Sequence, residues 1–284
     1  MIDLFPLNAS LGELIFLSLF TFVMGIFAGM VGVALGAVRL PVMLALGFNP
    51  VVAAGTNLGV TILSGSAAAV PDWRDGRVVN RVVLLIGIPA ILGSLLGGLL
   101  ADSVKAWTLL TLIATLTIIS SLISFHQWWS AIKLSSGLVT GQNLNNLRTA
   151  DLKHGIKLNL HNQSAYAAIV LVIGVIGGAV GLVLAVLRVP ILVNVMKMDS
   201  RYAAGTNNAI GVFAGVSGFL GHAVNLNLDV AVLTVMGISG MIGSFIGARQ
   251  TGRISDATMR FIIALLLAGT TPIVVLRIFS EYPN

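Results

Sequence analysis

Two arginines stand where this sequence has few other charges. Arg39 closes the glycine-rich apolar run GIFAGMVGVALGAVRLP (25–41), and Arg188 closes the run GVIGGAVGLVLAVLRVP (174–190). A guanidinium keeps its proton in proteins. At the centre of a spanning helix it costs about 2.5–3.5 kcal/mol on insertion scales, so it needs a counter-charge, dense acceptors or water. The ten acidic residues, from Asp3 to Glu281, fall at termini, in loops or at expected helix ends. A bound anion is the natural partner, because the planar fork of an arginine meets two oxygens of a carboxylate-like or phosphate-like group. Sulfite and sulfonate present similar oxygens. The alternative is that both arginines snorkel to the membrane surface from the ends of their runs. The sequence leaves both readings open, and the matched positions lean toward the anion site.

Next to the arginines come two copies of one polar motif. Gly55-Thr56-Asn57 recurs as Gly205-Thr206-Asn207, followed by Asn208. Threonine hydroxyls and asparagine amides donate hydrogen bonds without adding charge, and they become candidate substrate contacts. Ordinary interhelical bonding is the competing role. Pro41 and Pro190 suit the first turn of a helix, where a missing N–H costs nothing, and are expected to open helices after a break. His222 is a candidate proton carrier near neutral pH, though a single loop histidine more often has no such role. His126, His154 and His161 are expected to be solvated. No metal-ligand pattern, phosphate-binding glycine loop or nucleophile motif is present, and no cofactor is implied.

The elements that must position these residues are written twice. Across the two 17-residue runs, offset by 149, 7 positions match, including Arg39/Arg188 and Pro41/Pro190. At an offset of 150, Ala53-Ala54-Gly55-Thr56-Asn57 returns as Ala203-Ala204-Gly205-Thr206-Asn207, and Gly87, Gly93-Ser94 and Gly97 return as Gly237, Gly243-Ser244 and Gly247. Apolar bias alone does not align glycine, arginine and proline, so a duplication is the simplest account. Duplicated halves of membrane carriers usually enclose a shared path, with irregular backbone at matching places.

Composition sets the class. The chain is 57% hydrophobic and 9% charged, against about 25% charged in soluble domains. An all-α polytopic membrane protein follows, with about eight membrane segments in two homologous four-segment repeats with broken helices. A span needs about 20 apolar residues. The candidate segments are 14–36, 40–70 (broken near 47–50), 82–101 and 107–125, then 164–187, 190–220 (broken near 197–201), 228–248 and 257–278. The division is a first repeat over 1–125, a polar linker over 126–163 and a second repeat over 164–284. Trp128 and Trp129 read as interfacial anchors. Glycines four apart (Gly25/Gly29, Gly93/Gly97, Gly177/Gly181, Gly243/Gly247) read as close-packing faces rather than ligand sites. Asp3 and Glu13 replace the basic cluster of a cleaved leader, so the first helix is expected to stay.

The net charge of +6 does not point to nucleic acid, because the basic residues are scattered in short loops as topology signals are. If the region 39–70 crosses fully, the halves are parallel. If it turns back on itself, the halves are inverted. One face then carries Arg74, Arg77, Arg81, the linker's Lys133, Arg148, Lys153 and Lys157, and Arg249, Arg253 and Arg260, and the other carries Lys105, Lys197, Arg201 and Arg277. The positive-inside rule favours inversion, with both termini outside.

The run ending in Arg39-Leu40-Pro41, then Ala53 to Asn57, then Arg74-Asp75-Gly76-Arg77-Val78, then the Gly93/Gly97 helix resembles the TauE/SafE family of sulfite exporters, and the second half repeats the pattern. The resemblance implies a bacterial or archaeal inner-membrane permease of about eight helices that moves sulfite, sulfoacetate or a related anion. The role of the arginines is not part of it and rests on electrostatics alone. The reading is a multi-pass secondary transporter, not an enzyme, that exports a small anion, with Arg39 and Arg188 neutralising it and one half rocking against the other. An anion channel and a membrane-embedded enzyme or assembly protein are the rivals. The expected partners are the anionic substrate and the lipid bilayer, and a homo-oligomer is open.

Overall fold

The computed structural model describes residues 10–31, 35–135, 163–196, 198–250 and 256–281. These residues are all-helical: α1 (Leu11–Val31), α2 (Gly36–Ala45), α3 (Pro50–Arg74), α4 (Asn80–Leu100), a 3-10 turn at Ala101–Ser103, α5 (Ala106–Ser135), α6 (Gln163–Val180), α7 (Ala185–Pro190) running into a π-turn at Ile191–Val195, α8 (Ser200–Val224), α9 (Val230–Ala248) and α10 (Asp256–Glu281). Five of them, α1, α4, α5, α9 and α10, are long and apolar enough to cross a membrane. Helices α3 and α8 have 25 residues each, about 37 Å by the helical rise, but their polar residues lower their hydropathy. The eight expected segments are therefore represented by five spans that satisfy length and hydropathy on their own.

Which residues face inward settles the environment. On α4, Gly87, Ala90, Gly93, Ser94 and Gly97 are buried, while Leu84, Ile88, Leu92 and Leu96 are exposed. On α9, Gly237, Gly240, Gly243, Ser244 and Gly247 are buried, while Ile238, Met241, Ile242 and Phe245 are exposed. A water-soluble helix hides its large apolar side chains. Here they point outward and the small residues pack inward, as lipid solvation permits.

The small residues bring backbones into contact in two matched places. Methyl groups added to Gly29, Gly243 and Gly247 would collide with the carbonyls of Ser244, Phe22 and Ile26, so α1 lies parallel and flush against α9. Methyls on Gly93, Gly97 and Gly178 would collide with the carbonyls of Leu171, Val175 and Ser94, so α6 lies in the same way against α4. Each half thus sends a helix into the other. Between them α3 and α8 cross antiparallel, with Gly215 facing Ile62 and Gly218 facing Leu58. Because α9 runs along α3 and α4 runs along α8, α1 and α6 point in opposite senses. Outside this core, α5 pairs with α10, with the Trp128 and Phe261 rings tilted against each other, centroids 4.7 Å apart.

Both glycine-rich runs break earlier than expected. The first ends α1 at Val31 and resumes at Gly36. The second ends α6 at Val180. Gly181 takes φ +73°, and the bonds Gly181 N–H to Gly178 O (3.3 Å) and Leu182 N–H to Gly177 O (2.8 Å) close the helix in a Schellman arrangement. A side chain at Gly181 would fall on the backbone of Ala54. Pro41 therefore lies inside α2 rather than opening it, and Pro190 is the last residue of α7, ahead of the π-turn. A prolyl nitrogen cannot donate to the carbonyl four residues back, which loosens both short helices. Likewise 53–57 and 203–207 are continuous helix rather than breaks. Pro50 at the first turn, with Asn49 accepting from Val51 N–H at 2.9 Å, starts α3 just upstream.

Three further expectations change. Residues 126–135 continue α5 instead of joining the linker, so His126 is helical. His154, His161, Lys197, Arg253 and most of the linker lie outside the described residues. Arg201 sits in the first turn of α8, which opens beside Arg77 because Gly205 packs on that residue. It therefore joins the face of Arg74, Arg77 and Arg81, not that of Lys105 and Arg277.

Replacing Gly97 or Gly247 by alanine forces the paired backbones apart. We expect each change to cost about 1–3 kcal/mol, the usual penalty of overpacking, and to lower the unfolding temperature in detergent. Gly269→Ala, where a methyl meets nothing within 4 Å, leaves that temperature unchanged. Three variants with equal melting would contradict the packing.

Candidate functional site

Arg39 and Arg188 are 1% and 2% exposed. Neither reaches the surface, so snorkelling does not describe them. Among the described residues no carboxylate lies within ion-pair distance of either; Arg77 makes the ion pairs there, with Asp72 (3.1 Å) and Asp75 (2.6 Å).

Arg39 projects from α2 onto one stripe of α3. Its Nε donates to Asn57 Oδ1 (3.4 Å), Nη2 to Thr61 Oγ1 (2.7 Å) and Nη1 to Ser64 Oγ (3.3 Å). Positions 57, 61 and 64 are four and three apart, which places them on one helix face. Asn57 also donates from Nδ2 to Gly36 O (3.1 Å), the start of α2, and to Gly181 O (2.9 Å), the end of α6. One asparagine therefore ties the two interrupted connections together.

Arg188 projects from α7 onto α8 in the matching way. Its Nε donates to Asn207 Oδ1 at 3.1 Å, and Asn207 donates to Ala185 O at 3.3 Å. The positions that match Thr61 and Ser64 are Gly211 and Ala214. Arg188 Nη2 is buried and has no hydrogen-bond partner.

The other candidates lie elsewhere. Thr56 Oγ1 accepts from Asp229 N–H (3.0 Å) and Thr206 Oγ1 from Val79 N–H (3.0 Å). Each threonine holds the residue that caps a helix in the opposite half, α9 and α4 respectively. Gly55 leaves room for Asn227 O and the His222 side chain, and Gly205 for Arg77. Asn208 donates to Asp72 Oδ2 at 2.8 Å. His222 is fully buried, its Nε2 is 2.9 Å from Gly178 O, and its Nδ1 has no partner. It sits 15 residues along α8 from Asn207, about 22 Å by the helical rise, so it belongs to the other end of the molecule. Of the candidates, the structure brings Arg39 to Asn57, Arg188 to Asn207 and His222 to Gly55, and places the others away from both guanidinium groups.

Sequence reasoning missed four residues. Thr61 and Ser64 complete the Arg39 cage, and their spacing from Asn57 was the available signal. Thr21 and Ser244 are buried with unpartnered hydroxyls. A methyl on Gly240 would sit 2.9 Å from Thr21 Cγ2 and 3.8 Å from Arg39 Nη1, so Thr21 borders the cage. A cleft of about 360 Å³ between α3 and α8 is lined by Ser66, Trp73, Arg74, Val212 and Phe213 among others; none of the guanidinium partners lines it.

Chemically, the site offers fixed positive charge and neutral oxygens, with no carboxylate paired to either guanidinium among the described residues. Such a fork of donors can hold an anion. No solved structure matches the chain. A curated relative, the probable membrane transporter protein YdhB of Bacillus subtilis (strain 168), is 24% identical over 249 residues, covering 86% of this chain and 93% of the relative. The family model for the sulfite exporter TauE/SafE matches residues 17–271, and the chain belongs to that family of membrane transporters.

Proposed function

We propose that this membrane transporter is a secondary carrier that exports a small oxoanion of sulfur, sulfite or an organosulfonate, across a bacterial or archaeal inner membrane. One observation carries the reading: two guanidinium groups are buried in an apolar bundle, and their hydrogen-bond partners among the described residues are neutral oxygens. Uncompensated buried charge is costly, and a visiting anion removes that cost while it is bound. A buried positive charge of this kind gives an anion a place to stop partway across. The description of the family as sulfite exporters supports sulfur as the central atom.

The two halves act as inverted repeats in this reading, supported by the opposite senses of α1 and α6 and of α3 and α8. Arg74, Arg77, Arg81, Arg201 and Arg249 share one face, which the positive-inside rule assigns to the cytoplasm. The moving bodies are not the two halves. Backbone contact locks α1 to α9 and α6 to α4, so the rigid units are α1–α2–α3–α9 and α4–α6–α7–α8. They meet at the α3/α8 crossing, where Gly215 and Gly218 face the side chains of Ile62 and Leu58, and at the end of α6, where Gly181 lies on Ala54 and accepts from Asn57. Alternating access is a rocking of these mixed bodies about that crossing.

The double variant Arg39→Gln/Arg188→Gln, reconstituted in vesicles loaded with labelled sulfite, should lose flux by at least about 10-fold, the effect of one charge-assisted bond. It should still run as a single folded species in detergent. Wild-type flux in the double variant would end the anion-site reading. A second expectation separates structure from transport. Thr56→Val and Thr206→Val each remove one helix-end hydrogen bond and should lower stability by about 1 kcal/mol without changing sulfite affinity. Affinity falling in step with stability would place the threonines at the substrate instead.

A further inference from the structure

We infer that the two arginines have parted roles: Arg188 alone contacts the transported anion, one per chain, and Arg39 is a structural charge held by its hydroxyl cage. The inference rests on the oxoanion reading above and specifies which copy of the site carries it.

The argument starts from matched positions. Both arginines keep the bond from Nε to an asparagine. From there the copies diverge in one direction. Opposite Arg39 stand Thr61 and Ser64, and Thr21 borders the cage. The corresponding residues of the second half are Gly211, Ala214 and Val170. Three hydroxyls in one copy face no hydroxyl in the other. The consequence is direct. Arg39 has a partner at each of its three nitrogens, whereas Arg188 Nη2, equally buried, has none.

A buried guanidinium nitrogen without a partner is costly, and random loss of its acceptors would be expected to take the arginine with it. Here the arginine stays and the acceptors are gone. A methyl on Gly211 would lie 3.5 Å from Arg188 Nη2, so the missing side chain is the one that would have covered this donor. An oxygen of a sulfite or sulfonate group supplies the acceptor that Thr61 supplies in the first half, with a negative charge in addition. An anion at Arg39 would have to displace bonds already made to Thr61 and Ser64. An incoming oxyanion therefore meets one ready donor rather than two.

The test uses the purified full-length protein with sulfite as the probe, read by titration calorimetry for stoichiometry and affinity and by thermal unfolding for stability. The wild type should bind one sulfite. Arg188→Gln should weaken binding by about 10-fold or more, the effect of a charge-assisted bond. Arg39→Lys, which keeps the charge and loses the fork, should melt lower yet bind sulfite within about 3-fold of wild type, less than one neutral hydrogen bond is worth. Gly211→Thr/Ala214→Ser rebuilds the cage in the second half. It should melt at or above the wild-type temperature and lose sulfite affinity, a combination that mere damage cannot produce. Two sulfites per wild-type chain, or Arg39→Lys weakening binding as much as Arg188→Gln in folded protein, would overturn the division of roles while leaving the carrier reading intact. Unchanged affinity in a folded Gly211→Thr/Ala214→Ser variant would overturn it as well. A wild-type protein that binds no sulfite, sulfate or sulfoacetate would remove both readings together.

Discussion

The structure turns on a clasp made by one arginine and one asparagine, used twice. In each half a short helix carries the arginine, and the long helix that follows carries the asparagine. The asparagine oxygen receives Nε of the guanidinium, and its amide donates back to the first carbonyl of the short helix, Gly36 or Ala185. The clasp holds the charge against the long helix and ties the start of the short helix to the same side chain. Without it, α2 has ten residues and α7 six, too short to hold position by their own hydrogen bonds.

Around the clasps, close packing does what a hydrophobic core does in water. Lipid gives apolar side chains no reason to prefer the interior, so contact comes from surface shape. Paired glycine faces on α1 and α9, and on α4 and α6, let backbones meet. The outer end of α2 is held in another way. Arg277 of α10 donates to the carbonyls of Leu44 and Gly47, a positive charge at a helix C-terminus where the dipole favours it. The broken segment is thus pinned at both ends, by Asn57 within the bundle and by Arg277 near the surface.

Much of this was legible in the residues, and the reasons are specific. Glycine, arginine and proline recur in register in the two runs, which singled out Arg39 and Arg188, and both are buried in the structure. Asn57 and Asn207 stood out because amides are rare in apolar runs, but their bonds to Arg39 and Arg188 had no signal beyond proximity in sequence. Thr56 and Thr206 misled because a motif that repeats as a block need not point one way: adjacent positions on a helix lie about 100° apart, so Asn57 turns to the arginine and Thr56 turns to the next helix. Pro41 misled because proline also tolerates a helix interior when the helix is short and already loose. The exchange of helices between halves had no signature in the order of segments. It depends on which glycine face meets which, and the four-residue spacing is the same on all of them.

That exchange bears on how the chain is made. Helix α1 ends at Val31 and its partner α9 begins at Val230, so about 200 residues must be synthesised before the two can meet. At roughly 5–20 residues per second the delay is on the order of 10–40 s. Throughout that interval the bare glycine face of α1 lies against lipid or an insertion factor, and the first half cannot mature as an independent unit. The packing of α1 is therefore post-insertional: it waits on a helix made about 200 residues later.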